Sequence, residues 1–257
     1  MKKTESTHLP ALFIQLIKKN LVGFFAFLLL WEILSLIFPA YIIPSPWLII
    51  RKIPEFLNQE FVLHLQISLF RLLTGFVSAF LIATFIGIAA YKLTLFEYTE
   101  NILSLFQVIP GAILGIIFLI IFGVGNNVPI AMIIVMSIPI MAINTSTGLR
   151  KIVREQEEVV YIFGGGTLEI VRYVYIPVLV PVFRSNILIG TGLALKVIVL
   201  GEYIGCENGV GFLLSNAQTL FRMDMVFFYL MVIMTIALIF QIIVNFLFVE
   251  LFRKYLD

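Results

Sequence analysis

Residues 65–91 read LQISLFRLLTGFVSAFLIATFIGIAAY, with one charged side chain, Arg71, and no proline. As a helix, rising about 1.5 Å per residue, the stretch exceeds the roughly 30 Å of hydrocarbon in a bilayer. It is therefore long enough to cross a membrane with a tilt, or to run past it. Five more apolar stretches accompany it, at about 21–40, 102–122, 128–143, 185–204 and 225–249. Composition agrees: 61% of the 257 residues are hydrophobic and 12% are charged, with a mean hydropathy of +1.09. A soluble domain is about 45–50% apolar and about 25% charged, and a soluble fold of this size could not hide so much apolar surface. A soluble enzyme, a disordered chain and a nucleic-acid binder are excluded on these grounds. The net charge of +2 is too small to argue for a polyanionic partner. The single cysteine, Cys206, excludes a disulfide framework and a cysteine-based metal site. The class that remains is all-α: a polytopic transmembrane helix bundle of about six spans.

Pro110 opens the third span and Pro139 lies inside the fourth. Lipid tolerates a helical proline only where neighbours satisfy the freed carbonyl, so both point to helices packed in a bundle. The first span follows Lys18 and Lys19, as the core of a signal peptide would, but it is too long and lacks a small-residue cleavage pattern. It reads as a retained helix. With the N-terminus inside, the cytoplasmic side holds Lys2, Lys3, Lys18, Lys19, Lys92, Arg150, Lys151, Arg154, Arg172, Arg184, Arg253 and Lys254. The outer side holds Arg51, Lys52 and Arg222, while Arg71 and Lys196 fall within spans. This asymmetry predicts a multi-pass protein of the cell membrane with both termini cytoplasmic. No internal repeat or low-complexity segment is evident.

The connection at 147–183, between the fourth and fifth spans, is not simply polar. Its stretch 154–177 reads REQEEVVYIFGGGTLEIVRYVYIP. Charged residues give way to an apolar patch, three glycines and a second amphipathic stretch. Gly164, Gly165 and Gly166 end one helix and allow a sharp turn. Thr167 is placed to cap the next helix, with Glu169 in its first turn. The expected unit is helix, turn, helix at the membrane surface, ending at Pro177 and Pro181. Such a unit serves either as a handle for a partner protein or as an interfacial helix on lipid.

Glu158, then Gly164, Val174, Ile176 and Pro177, resemble in spacing the EAA loop of ABC-importer permeases. Valines at 159 and 160 replace that loop's two alanines, Val174 its isoleucine and Ile176 its leucine. The rest of the chain is similar to one branch, the nitrate/sulfonate/taurine-type permeases. That similarity is carried by Pro44-Ser45-Pro46, His64-Leu65, Ser68-Leu69-Phe70-Arg71, Gly75-Phe76, Ile109-Pro110, Gly111-Ala112, Phe122-Gly123, Asn144-Thr145, Gly148, Gly192, Glu202 and Gly209-Val210-Gly211. The resemblance implies a MetI-like permease fold, with a cytoplasmic tail over 1–20 and one permease domain over 21–257 (core about 60–250). It also implies a second permease copy, two cytoplasmic ATPase subunits and an external solute-binding protein. The coupling residues would be Glu157, Glu158, Gly164, Gly165 and Pro177. Substrates of the branch are small anions such as sulfonate, taurine or nitrate, or pyrimidine vitamin precursors. The chain is not expected to be an enzyme or to hold a cofactor. It has no G-x-x-x-x-G-K-[ST] motif, so ATP hydrolysis falls to the partner.

Ionisable groups in spans are candidate functional residues. Glu32 and Arg71 both fall roughly 10–12 Å below the expected outer surface, so an ion pair between them is geometrically possible. That pair would fix helix packing or mark a solute path. Lys196 in the fifth span could favour an anion in a pore, or instead snorkel or pair with Glu202. Gln107, Asn144, Thr145, Thr191, Gln241 and Asn245 could line a cavity or bond across helices. Gly111/Gly115 and Gly201/Gly205 have a spacing suited to close helix contact. His64 has no second metal ligand nearby in sequence. Glu155, Glu157 and Glu158 read as a solvated docking face. The principal alternative is a stand-alone, ion-coupled secondary transporter. A membrane-embedded enzyme is more distant, because no nucleophile, metal cluster or acid–base pair lies near a span.

Overall fold

The computed structural model describes residues 8–152 and 154–251, with side chains over 21–152, 155–248 and at 250. Among these residues every regular element is helical. The order is α1 (His8–Ile37), α2 (Pro46–Phe56), α3 (Gln59–Lys92), α4 (Phe96–Gln107), α5 (Gly111–Phe122), α6 (Asn127–Leu149), α7 (Arg154–Ile162), α8 (Thr167–Ile170), a π-helical turn (Val171–Tyr175), α9 (Ile176–Gly205), α10 (Val210–Thr219) and α11 (Met223–Leu251). Four stretches are long and apolar enough to cross a membrane: Gln59–Lys92, Asn127–Leu149, Thr167–Gly205 and Met223–Phe248. The apolar part of α1 is Leu21–Ile37. The tail expected over 1–20 is helical from His8 onward; Lys2, Lys3, Arg253 and Lys254 lie outside the described residues.

The single span expected over 102–122 is instead two helices, α4 and α5, bent by 86°. The bend is at Pro110, whose backbone is extended at φ −61°, ψ 130°. Proline offers no N–H and disfavours helical geometry at the residue before it. The opposite outcome holds further on. The second arm of the predicted helix–turn–helix does not stop at Pro177 and Pro181 but runs unbroken from α8 into α9. A π-type bond from Ile176 N to Val171 O widens the helix just before Pro177, so the missing donor is absorbed by a wider turn. Arg184 accordingly lies in α9, not in a loop, and its Nη2 donates to Asn245 Oδ1 at 2.9 Å.

The centre of the bundle is α6, packed against α3 and α9. Close approach there relies on missing side chains: a Cβ on Gly75 would come within 2.9 Å of Ile133, and one on Gly201 within 2.7 Å of the Pro129 backbone. Buried polar groups pin α6 to α9. Asn186 Nδ2 donates to Thr145 Oγ1 at 2.9 Å, and Asn144 Nδ2 donates to Asn186 Oδ1 at 2.7 Å. A second cluster seats α1 and α2 on α11, with Trp31 stacked on Phe227 at 5.2 Å and its Nε1 donating to Pro44 O at 2.9 Å. Pro44-Ser45-Pro46 builds the start of α2: Ser45 is the N-cap, Leu48 N donates to its Oγ at 3.3 Å, and Pro46 takes the first helical position. Neither α2 nor α10 follows from the six apolar stretches, because both are short and amphipathic.

Candidate functional site: a projecting helical corner and a buried charge hub

The turn after α7 forms where the glycines stand. Gly164 has φ +78°, a left-handed conformation that costs a side-chain-bearing residue. Gly164 N donates to Tyr161 O and Gly165 N to Val160 O, both at 2.9 Å, which satisfies the last carbonyls of α7. Gly166, not Thr167, takes the N-cap position of α8. Its N–H donates to Glu169 Oε2 at 2.8 Å, and Thr167 is the first helical residue.

The corner projects an apolar surface: Ile162 is 80% exposed, Phe163 86% and Leu168 76%. Glu155 and Glu158 are exposed beside it. Glu157 is not part of that solvated face. It turns inward and accepts a hydrogen bond from Tyr175 Oη at 2.8 Å, while Pro177 sits half-buried in the first turn of α9. A cleft of about 300 Å³ opens between the corner and the ends of α3 and α6, lined by Ile88, Lys92, Leu149, Glu157, Tyr161 and Tyr175 among others.

At the other end of α9 the charges pair differently from expectation. Arg71 does not meet Glu32, which is exposed on α1. Its Nη1 donates to Glu202 Oε1 at 2.9 Å, with the two side chains 1% and 0% exposed. All five guanidinium N–H groups are used. Nε and Nη2 donate to Asn126 Oδ1 at 2.9 and 2.6 Å, Nη1 also to Asn208 O at 2.9 Å, and Nη2 also to Asn208 Oδ1. Glu202 accepts in addition from Ser68 Oγ, which lies 2.8 and 2.7 Å from its two oxygens, and from Gly211 N at 2.9 Å.

The Gly209-Val210-Gly211 segment wraps this carboxylate. Val210 N donates to Ser68 Oγ and Gly209 N to His64 Nδ1, both at 2.8 Å. Gly209 has φ +105°, and a Cβ there would stand 2.3 Å from the Glu202 carboxyl carbon. The hub therefore ties α3, the loop before α6, α9 and α10 into one unit. Cys206 closes the same loop by donating to Gly125 O at 3.3 Å, and burial pushes its thiol up to about 11.

Lys196 is not Glu202's partner. It lies exposed on α9. Of the candidate charges, the fold brings Arg71 and Glu202 together and leaves Glu32 and Lys196 apart. The sequence alone does not mark Asn126 and Asn208 as members of the hub. They sit in loops, and nothing local marks them as the acceptors of a distant arginine.

Residues 75–257 match the family described as the binding-protein-dependent transport system inner membrane component. The chain is 30% identical over 206 residues to the riboflavin transport system permease protein RibX of Chloroflexus aurantiacus, covering 79% of this chain and 75% of that one. It is 24% identical over 200 residues to the formylaminopyrimidine transport permease protein ThiX of Halalkalibacterium halodurans (77% and 80% covered). It is also 24% identical over 216 residues to the taurine transport system permease protein TauC of Escherichia coli (81% and 78% covered). With this match over most of its length, on an all-helical membrane fold, the chain belongs to the binding-protein-dependent inner membrane components, the permeases of ABC importers.

Proposed function

We propose that this permease forms the solute path of its importer together with a second copy of itself. In this reading the corner between α7 and α8 is the seat of a cytoplasmic ATPase, one ATPase to each copy. An external binding protein delivers solute at the end of the bundle that carries the Arg71–Glu202 hub. The single observation that carries the reading is the corner itself: Ile162, Phe163 and Leu168 stand exposed on a tight glycine turn, flanked by Glu155 and Glu158. Apolar side chains held out beside charges fit a groove on a partner protein. ATP-driven movement of that partner would act on α9 directly, because α8 and α9 are one continuous helix.

In this reading the chain's own chemistry is passive and both termini face the cytoplasm, an orientation that the distribution of Lys and Arg supports. The solute is a small polar molecule of the kinds that the relatives' names record: taurine, riboflavin or a formylaminopyrimidine. Selection falls mainly to the binding protein.

The test is co-purification with the cognate cytoplasmic ATPase, followed by ATP-dependent uptake of the solute that the purified binding protein carries. Glu158→Arg and Phe163→Asp should each lower ATPase recovery at least about tenfold, the effect of losing an interface anchor, while the permease is still recovered from membranes. Unchanged recovery, or gradient-driven uptake by the permease alone in lipid vesicles, would favour the secondary transporter instead.

A further inference from the structure

The ammonium of Lys196 stands outside the charge network of the hub. It lies nine residues before Gly205, the end of α9. At about 1.5 Å per residue that is roughly 13 Å from the helix end, near the middle of an about 30 Å hydrocarbon layer and deeper than a lysine stem reaches. The carboxylate its own helix offers, Glu202, is buried and held by Arg71, Ser68 and Gly211. Among the described residues no Asp or Glu oxygen lies within 4.0 Å of Lys196 Nζ. The side chain is exposed on the surface of the single chain, in a stripe with Ile189, Gly192 and Tyr203 at helical spacing. A Cβ built on Gly192 meets nothing within 4 Å, so the stripe is open there.

An unpaired ammonium at this depth is not held against lipid tails, and charges inside spans face protein or a water-filled cavity. In this chain the group faces outward. The water must then lie between this face and whatever covers it, and by the reading above that is a second copy of the chain. We propose that Lys196 stands in the aqueous path between the two copies and gives the importer a preference for solutes carrying an anionic group, such as a sulfonate or carboxylate. Three N–H donors on a full positive charge make charge-assisted hydrogen bonds to such oxygens, whereas a neutral acceptor gains less from them and a cationic solute is repelled. This rests on the path proposed above and narrows it to a chemical class.

The test needs no identified solute. In a Cys206→Ser background, Gly192→Cys places a thiol one helical turn from Lys196. Its rates of modification by an anionic (sulfonatoethyl) and a cationic (trimethylammonioethyl) methanethiosulfonate are measured in freeze–thawed vesicles from cells expressing the full chain. Both reagents should react. The anionic-to-cationic rate ratio should fall about tenfold with Lys196→Gln, the size expected from one charge at this distance, and should be retained with Lys196→Arg. A Gly192→Cys thiol inert to both reagents, or a ratio that Lys196→Gln does not move, would overturn the proposal. The readout involves no ATPase, so failure of the coupling corner leaves it intact. Conversely, a failed labelling beside intact ATP-dependent uptake rejects the placement of Lys196 in the path and its anion preference, and leaves the coupling reading standing.

Discussion

Arg71 and Glu202 form a pair whose value depends on completeness. Each charge has been taken out of water, and each is satisfied only while the other, with Ser68, Asn126, Asn208 and Gly211, stays in place. Arg71→Gln or Glu202→Gln alone strands a buried charge, at a cost of about 3–5 kcal/mol. The double substitution should cost clearly less than the sum of the two, as read from thermal unfolding of the detergent-purified protein. Glu32→Gln, at an exposed position, should shift stability by under about 0.5 kcal/mol and add simply to Arg71→Gln. Coupling between residues 32 and 71, or additivity between 71 and 202, would contradict the pairing seen here. Depth in the span alone matches Glu32 to Arg71, whereas the observed partners are 131 residues apart and are joined by the packing of α3 on α9 and by the wrap of α10.

The α7–α8 corner and the α8–α9 junction show at the level of elements how proline and glycine act through context. Gly164 is left-handed with open space around it, so Gly164→Ala meets backbone strain of about 1–2 kcal/mol but no clash. The expected result is weaker recovery of the ATPase with the unfolding temperature of the bundle lowered by only a few degrees. Gly164→Asn should restore much of the recovery, because asparagine tolerates this region better. Equal recovery in all three proteins would show that the turn geometry is not used. Pro110 breaks its span and Pro177 does not. Before Pro110 the chain is free to extend, whereas the π-helical turn before Pro177 accommodates the missing donor.

On the scale of the whole molecule, α8 and α9 make one long helix that joins the projecting corner to the buried hub. The orientation proposed above, with the α7–α8 corner in the cytoplasm, predicts a sidedness: in Cys206→Ser protein, Ile162→Cys should react with a membrane-impermeant maleimide only in inside-out vesicles, and Thr219→Cys only in right-side-out ones. The opposite pattern would invert the orientation and remove the corner from the ATPase's reach. Much of this was legible in the linear sequence. Hydropathy and length located the four spans around 65–91, 128–143, 185–204 and 225–249 but made one span of the bent pair at 102–122, the glycine run at 164–166 located the corner, and the blocks around His64, Ser68, Arg71, Glu202 and Gly209 to Gly211 turn out to be neighbours in one cluster. These are properties of the chain taken a few turns at a time, where side-chain period and backbone chemistry decide. The partner of Arg71, the outward position of Lys196 and the inward turn of Glu157 were settled by tertiary structure alone. Each depends on which helix faces come together in space, and no local pattern encodes that.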